Sequence, residues 1–249
     1  GRVIGFGART LKADKQAKYL NSPESEVYHK SNVLYGIYQA KKEIRNKDNC
    51  YLVEGYTDVI SLNQAGVTNV VASSGTSLTE NQISLIKRFT QNVTVLYDGD
   101  SAGIKAAMRG IDMLLEQDLN VRVVQFPDGH DPDSYVRKVG GGAFESFLKE
   151  AAKDFILFKT QLFIDESAND PIKKGEAIRN IVESISKIPD PIKRVVFFQQ
   201  CSALLGISEA TLVAEGQRLM DEASRKKKQQ EAYQQRREAQ PPKPRQEQA

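Results

Sequence analysis

Two short acidic phrases hold the residues best suited to chemistry in this sequence: Val53-Glu54-Gly55-Tyr56-Thr57-Asp58 and Tyr97-Asp98-Gly99-Asp100-Ser101-Ala102-Gly103. Each follows an apolar, β-branched run (Tyr51-Leu52-Val53 and Val93-Thr94-Val95-Leu96) and precedes a helix-like stretch. That order puts the carboxylates where a parallel strand ends and its crossover helix begins, the ligand-binding edge of an open α/β sheet. Carboxylates gathered there repel one another, and a divalent cation relieves the repulsion. Mg²⁺ takes oxygen ligands in octahedral geometry, shared among a few carboxylates, waters and phosphate oxygens, so the expected chemistry is phosphoryl chemistry at Mg²⁺. Asp131 and Asp133, after a later strand, belong to the same edge and could complete a second metal position. Taken singly, each acid has a plainer reading: Glu54 and Asp58 as helix-start acids, Asp98-Gly99-Asp100 as a turn. An EF-hand loop fits poorly, because Ala102 and Arg109 stand where a ligand and the bidentate glutamate are needed.

The elements that position these acids alternate between strand and helix from Asn49 to Phe126. Strands are expected at Cys50–Val53, Asn69–Ala72, Val93–Tyr97 and Val121–Phe126, and helices over Asp58–Ala65, Thr79–Phe89 and Ala102–Gln117. Short connections between alternating β and α specify an α/β fold, a parallel sheet with helices on both faces. Thr79 with Gln82 has the spacing of a capping box, and Ser101 can cap the helix after the second acidic phrase. Upstream, Asn32–Ile44 has the apolar spacing of an amphipathic helix. Pro127–Ser134 reads as a loop rich in acids and turn formers.

From Ala143 the character changes to helical periodicity without a strand signal, over Phe144–Phe163, Ile172–Ile188 and Ile192–Leu205. Asp170-Pro171 and Pro189-Asp190-Pro191 are read as breakers, with a further helix opening at Ser208. This part is expected to be a structural buttress. Beyond Arg225 the sequence is Lys, Arg, Gln and Glu, ending in prolines, which reads as a flexible linker or tail. The expected divisions are therefore 1–48, the end of a basic subdomain; 49–142, the catalytic α/β domain; 143–224, a helical subdomain; and 225–249, the tail.

At 249 residues, 40% apolar and 27% charged, the composition is that of an ordinary globular chain. No apolar run is long enough for a membrane span, so no membrane is expected. Cys50 and Cys201 are expected to be buried reduced thiols, with no zinc set. The net charge of +3 is unevenly spread, with basic residues concentrated in 1–47 and 225–249. A basic arm beside an acidic pocket suits a polyanion held by its phosphates while its reacting end meets metal. In that arm Lys12, Lys15, Lys18 and Lys30 interleave with Tyr19 and Tyr28, the make-up of a single-strand binding surface or of a solvated rim. His29 and His130 have no zinc-helix spacing, there is no Walker loop, and Ser73-Ser74-Gly75-Thr76 reads as a turn. The chain starts on Gly1-Arg2-Val3, so it is expected to be part of a longer protein.

A Glu-Gly-Tyr-x-Asp after one strand and an Asp-x-Asp-x-x-Gly after a later one resemble the Toprim domain shared by bacterial primases, type IA and II topoisomerases and some nucleases. Gly1-Arg2-Val3-Ile4-Gly5-Phe6-Gly7-Ala8-Arg9, Lys18-Tyr19-Leu20-Asn21-Ser22-Pro23-Glu24, His29-Lys30, Leu34-Tyr35-Gly36 and Asp131-Pro132-Asp133 extend the resemblance to the replicative DNA primases of bacteria (DnaG type), up to about Gly142. The resemblance implies RNA primer synthesis on single-stranded DNA from ribonucleoside triphosphates, by two-metal nucleotidyl transfer in the bacterial cytoplasm. It implies Glu54, Asp98 and Asp100 as the central acids for Mg²⁺ or Mn²⁺, with Asp58, Asp131 and Asp133 accessory. It implies Arg9, Lys18, Tyr19, Asn21 and Lys30 along the template and nucleotide path, with Tyr56 flanking the metal site. The family's zinc module has no cysteine set here, and the replicative helicase is expected to bind through a domain outside this sequence. A Toprim nuclease or topoisomerase piece and a non-catalytic single-strand-binding module are the alternatives.

Overall fold

The structure is a computed structural model and describes residues 2–10, 19–74, 77–97, 101–127, 129–167 and 170–238. The chain opens on an antiparallel pair, β1 (Gly7–Arg9) against β2 (Tyr19–Asn21), with Gly7 opposite Asn21 and Arg9 opposite Tyr19. A 3₁₀ turn at Lys30–Asn32 and helix α1 (Ile37–Lys47) lead into the alternating part. There β3 (Cys50–Val53), α2 (Tyr56–Gln64), β4 (Val70–Ala72), α3 (Glu80–Lys87), β5 (Asn92–Tyr97), α4 (Ser101–Glu116) and β6 (Asn120–Gln125) follow in turn. Helices α5 (Pro132–Val139) and α6 (Gly141–Ala151) precede a short strand β7 (Lys153–Asp154). Helices α7 (Phe155–Ser167), α8 (Pro171–Ser186), α9 (Pro191–Leu205) and α10 (Glu209–Glu238) complete the described chain.

The main sheet has the order β4-β3-β5-β6-β7, with β3 to β6 parallel and β7 antiparallel on β6. Both faces are covered, and successive residues divide between them. Leu52, Val71, Val93, Val95, Val121 and Val123 pack with α1, α3, α4 and α7 to α9, whereas Val53, Val70, Ala72, Leu96 and Val124 pack with α2, α5 and α6. This two-residue alternation is the strand pleat expressed in burial, and it explains why these strands read as nearly unbroken apolar runs. Each fully buried aliphatic side chain contributes about 1.5–3 kcal/mol relative to exposure.

The expected sheet was wholly parallel, and β7 corrects it. Lys153-Asp154 also divides the single helix expected over Phe144–Phe163. Asp154 ends the strand by accepting from the Ile156 and Leu157 N–H groups at 2.8 and 3.3 Å, which starts α7. Two residues are too few for any periodicity to signal. The expected start of α1 at Asn32 moves to Ile37, because Tyr35 is drawn into strand pairing with Ala72, at 2.9 and 3.1 Å. Gly36 then turns the chain at φ +83°, where a Cβ would lie 3.0 Å from Val59 Cγ1.

The Asp-Pro pairs prove to be helix starts. Asp131, Asp170 and Asp190 each accept backbone N–H groups from the first turns of α5, α8 and α9, and proline follows each at the first helical position. A carboxylate N-cap satisfies donors that the helix cannot, and proline lacks the donor that would be wasted there. Residues 225–238, expected to be flexible, continue α10 as helix, fully exposed where described. Their Lys, Arg, Gln, Glu and Ala content has high helix propensity, which sustains a helix without a core contact.

A buried polar cluster joins α4 to the helical part. The buried Lys159 donates to Ser184 Oγ at 2.6 Å, and Ser184 donates to Asp112 Oδ1 at 2.7 Å. Lys187 pairs with the other oxygen of Asp112 at 3.1 Å and with Glu116 at 3.5 Å. Burial lowers the Lys159 pKa from its ordinary value. For Lys187 burial also opposes the charge, but Asp112 and Glu116 outweigh it and hold its pKa above the ordinary value. Cys50 and Cys201 are free, buried thiols, with pKa values raised by burial.

Two glycines give opposite expectations. A Cβ on Gly141 would lie 2.0 Å from the Ala65 carbonyl oxygen, so Gly141→Ala must displace α6 from α2, at a cost of roughly 1–3 kcal/mol. Gly175, inside α8, has open space around its Cβ position, so Gly175→Ala is expected to stabilise by about 0.5–1 kcal/mol. Thermal melting of the two variants reads both signs.

Candidate active site

The carboxyl edge of the sheet gathers much of what the sequence singled out. Glu54 is the first residue beyond β3 and is exposed. In the β3–β5 pairing Leu52 is level with Val95, so the same register sets Glu54 level with Tyr97, the residue preceding Asp98. Asp98, Asp100 and Lys18 lie outside the described residues, and so does the side chain of Tyr19. Among the described residues no three acidic, histidine or cysteine side chains gather as a metal-binding group.

A chain of contacts ties the basic hairpin to this edge. The Ser74 N–H donates to the Glu54 carbonyl at 3.0 Å, and the Asn21 side-chain amide donates to the Ser74 carbonyl at 3.1 Å. Ser74 holds φ at +58°, an uncommon conformation for a non-glycine residue, which turns both of its backbone groups to this task. Tyr56, buried at the start of α2, packs its ring 5.5 Å from that of Tyr35. Gly7 of β1 lies against it so closely that a Cβ would come within 2.9 Å of Tyr56 Cε1. Glycine at position 7 is therefore what lets the hairpin seat on α2.

The three acids expected to be accessory each make local contacts. Asp58 is buried at the start of α2, and its Oδ2 accepts from the Gly55 N–H at 3.2 Å. Asp131 Oδ1 accepts from the Ser134 N–H at 2.7 Å, while the Ser134 hydroxyl accepts from the Asp131 N–H at 3.0 Å. Burial opposes ionisation of Asp131, but the Ser134 donors, its own backbone and the charge of Arg9 together hold its pKa below the ordinary 3.8. Arg9 is thus near enough to Asp131 for its charge to act there. Asp133 is paired through Oδ1 with Arg137 Nε at 2.8 Å, one helical turn on. His130 stands beside Ser134 Oγ at 3.3 Å and Lys138 Nζ at 3.1 Å.

Lys30 sits in the 3₁₀ turn, with its N–H donated to Glu24 Oε1 at 3.1 Å and its carbonyl accepting from the Gln82 amide at 3.1 Å. The structure thus links Glu54 to Asn21 through Ser74 and pairs the Tyr56 and Tyr35 rings, with Asp58 at the head of the same helix as Tyr56. It brings Arg9 toward Asp131 and anchors Lys30 on α3. Sequence reasoning took Ser74 as part of a plain turn and did not single out Arg137. Ser74 carries no sequence signal, because its conformation follows from tertiary contacts.

An open sheet of this strand order with acids at its carboxyl edge defines a Toprim-like domain, and a family model of that description matches residues 51–136. Models described as the DNA primase catalytic core, N-terminal domain, and the DnaB-helicase binding domain of primase match residues 1–41 and 168–210. The DNA primase of Staphylococcus epidermidis is 37% identical over 215 residues, which is 86% of this chain and 36% of that protein. A solved DNA primase domain from Pseudomonas aeruginosa superposes with a TM-score of 0.77 at 35% identity, covering 87% of this chain and 68% of that one. The solved DnaG primase catalytic domain bound to ssDNA gives 0.71 at 37% identity, covering 82% and 66%. The chain belongs to the bacterial DNA primases of the DnaG type. It spans about a third of the length of the curated relatives it matches, 36% of the Staphylococcus epidermidis protein. The match at 168–210 corrects the expectation that the helicase-binding domain would lie outside the sequence, since the model of that description falls within the helical part. No helix among the described residues is long and apolar enough to cross a membrane.

Because its pKa is lowered in the folded state, Asp131 contributes stability that is present above pH 3.8 and lost as pH falls through the folded value. Asp131→Asn keeps an N-cap but removes the titration. Denaturant unfolding followed from about pH 5 to about pH 2.5 is expected to show a shallower acid limb in the variant than in the parent protein.

Proposed function

We propose that this chain carries the centre that joins ribonucleotides into an RNA primer on a single-stranded DNA template. The observation that carries the reading is the seating of the basic hairpin on the acidic edge. Glu54, at the end of a strand hydrogen-bonded to the one that leads into Asp98, is linked through Ser74 to Asn21. The exposed Glu54 carboxylate fits a metal ligand, and with Asp98 and Asp100 it would hold Mg²⁺ or Mn²⁺ in a two-ion site. Asp58 and Asp131 would stand by as accessory acids at the first turns of α2 and α5. The ions, when bound, polarise phosphate oxygens and make the 3′-hydroxyl a better nucleophile. Asp133 is already neutralised by Arg137, which supports a structural role for it.

The protein's own groups position the reactants. Arg9, Lys18 and Lys30 offset phosphate charge along the template and nucleotide path, and Tyr19 offers a ring face to a base. Asn21 keeps its amide on the Ser74 carbonyl, so its part is to hold the hairpin at the correct distance from Glu54. Tyr56 and Tyr35 form the wall behind it. The replicative helicase is the partner we read for the α8–α9 region, where Ile172 and Ile192 stand exposed. The bacterial cytoplasm is the compartment this work requires.

In the full-length protein, Glu54→Gln and Asp98→Asn are each expected to lower Mg²⁺-dependent primer synthesis at least about a hundredfold while leaving binding of single-stranded DNA in place. Full synthesis by either variant would overturn the reading. So would metal-dependent cleavage of DNA by the parent protein with no synthesis from ribonucleotides.

A further inference from the structure

Gln82 lies on α3, away from both acidic phrases, yet its side chain is fully buried. Both amide hydrogens and the amide oxygen are engaged. Its Nε2 donates to the Lys30 carbonyl at 3.1 Å and to the Val33 carbonyl at 2.8 Å, and its Oε1 accepts from the Thr79 N–H at 3.1 Å. The same helix start makes two more bonds to the same turn. Thr79 Oγ1 donates to the Ser31 carbonyl at 2.6 Å, and the Asn81 amide donates to Asn32 Oδ1 at 2.7 Å. The segment from Lys30 to Val33 is therefore fastened to the amino end of α3 through the carbonyls of Lys30, Ser31 and Val33 and the side chain of Asn32. Capping α3 needs only the Thr79 and Gln82 acceptors, so the donors directed at Lys30, Ser31 and Val33 exceed what the helix itself requires.

We propose that Gln82, assisted by Thr79, is a positioning residue for Lys30: it holds the turn that presents the Lys30 ammonium to a phosphate of the single-stranded nucleic acid. This rests on the reading of Lys30 given above. A buried amide with both hydrogens and its oxygen engaged is rigid, because breaking any one bond strands a polar group away from water. The Lys30 side chain is long and mobile, so a fixed backbone is the part of its geometry the fold can set. Glu24 secures the other side of Lys30 by accepting its N–H.

The test uses the full-length protein, with fluorescence anisotropy of a labelled oligothymidylate read across a salt series and thermal melting as the folding control; the changes at Gln82 and Thr79 leave the charge unaltered. Lys30→Ala is expected to weaken binding about three- to tenfold and to lower the salt slope by about one. Gln82→Met is expected to move both quantities in the same direction, and the double variant to bind no worse than Lys30→Ala alone. Losses that add in the double variant, or an unchanged salt slope in Gln82→Met, overturn the positioning role while leaving the Lys30 reading intact. Unchanged binding by Lys30→Ala overturns the Lys30 reading itself, and the positioning role with it. If Gln82→Met does not fold, Thr79→Ala replaces it in the same cycle, with Thr79→Ser expected to restore the parent values. Failure of that rescue overturns the proposal.

Discussion

Parallel hydrogen bonding of β3 to β4 on one side and to β5 on the other sets the arrangement of everything else. The chain leaves β3, returns as β4 on one flank, and then crosses to build β5 and β6 on the opposite flank. Right-handed crossovers then send α2 and α3 to opposite faces. The acidic phrases follow β3 and β5 in the sequence. Were β3 not paired with β5, Glu54 and Asp98 would not begin from neighbouring strands.

The two edges of this sheet are treated differently by the sequence. At the amino edge, asparagines open the strands and bond to one another: Asn69 donates to the Asn49 carbonyl at 2.8 Å, and Asn120 to Asn92 Oδ1 at 2.9 Å. Asn92 also donates to Asp48, and Thr94 donates to Asn49. That end is closed and serves stability. At the carboxyl edge, helix starts, a left-handed serine and the docked hairpin leave the Glu54 carboxylate exposed. The polar groups that support Lys30 are likewise hydrogen-bonded, so the charged tips stand on rigid bases.

Much of this was legible in the sequence, for reasons that differ by element. The strand–helix alternation could be read because both sheet faces are buried, which makes Leu52, Val53, Val93 and Val95 apolar without exception. Glu54 could be read because a carboxylate after such a run is conspicuous. The start of α5 was legible but misread: Asp131-Pro132 carries the same capping signal as Asp170-Pro171 and Asp190-Pro191, and a cap was taken for a loop or a breaker. Strand β7 was not legible, since its pairing depends on where α6 delivers the chain. The Gln82 contacts to Lys30 and Val33 span about fifty residues and leave no local pattern beyond a capping box. Residues 225–238 have a composition that suits both a solvated helix and a coil, and composition alone does not choose.

The cluster around Asp112 has a mechanical consequence for α4. One carboxylate near the far end of that helix is gripped by Ser184 on one oxygen and Lys187 on the other. Swivelling the rod by a single residue step, about 100°, would swing Asp112 out of reach of both. The body of α4 is therefore held against rotation about its axis and acts as a fixed post.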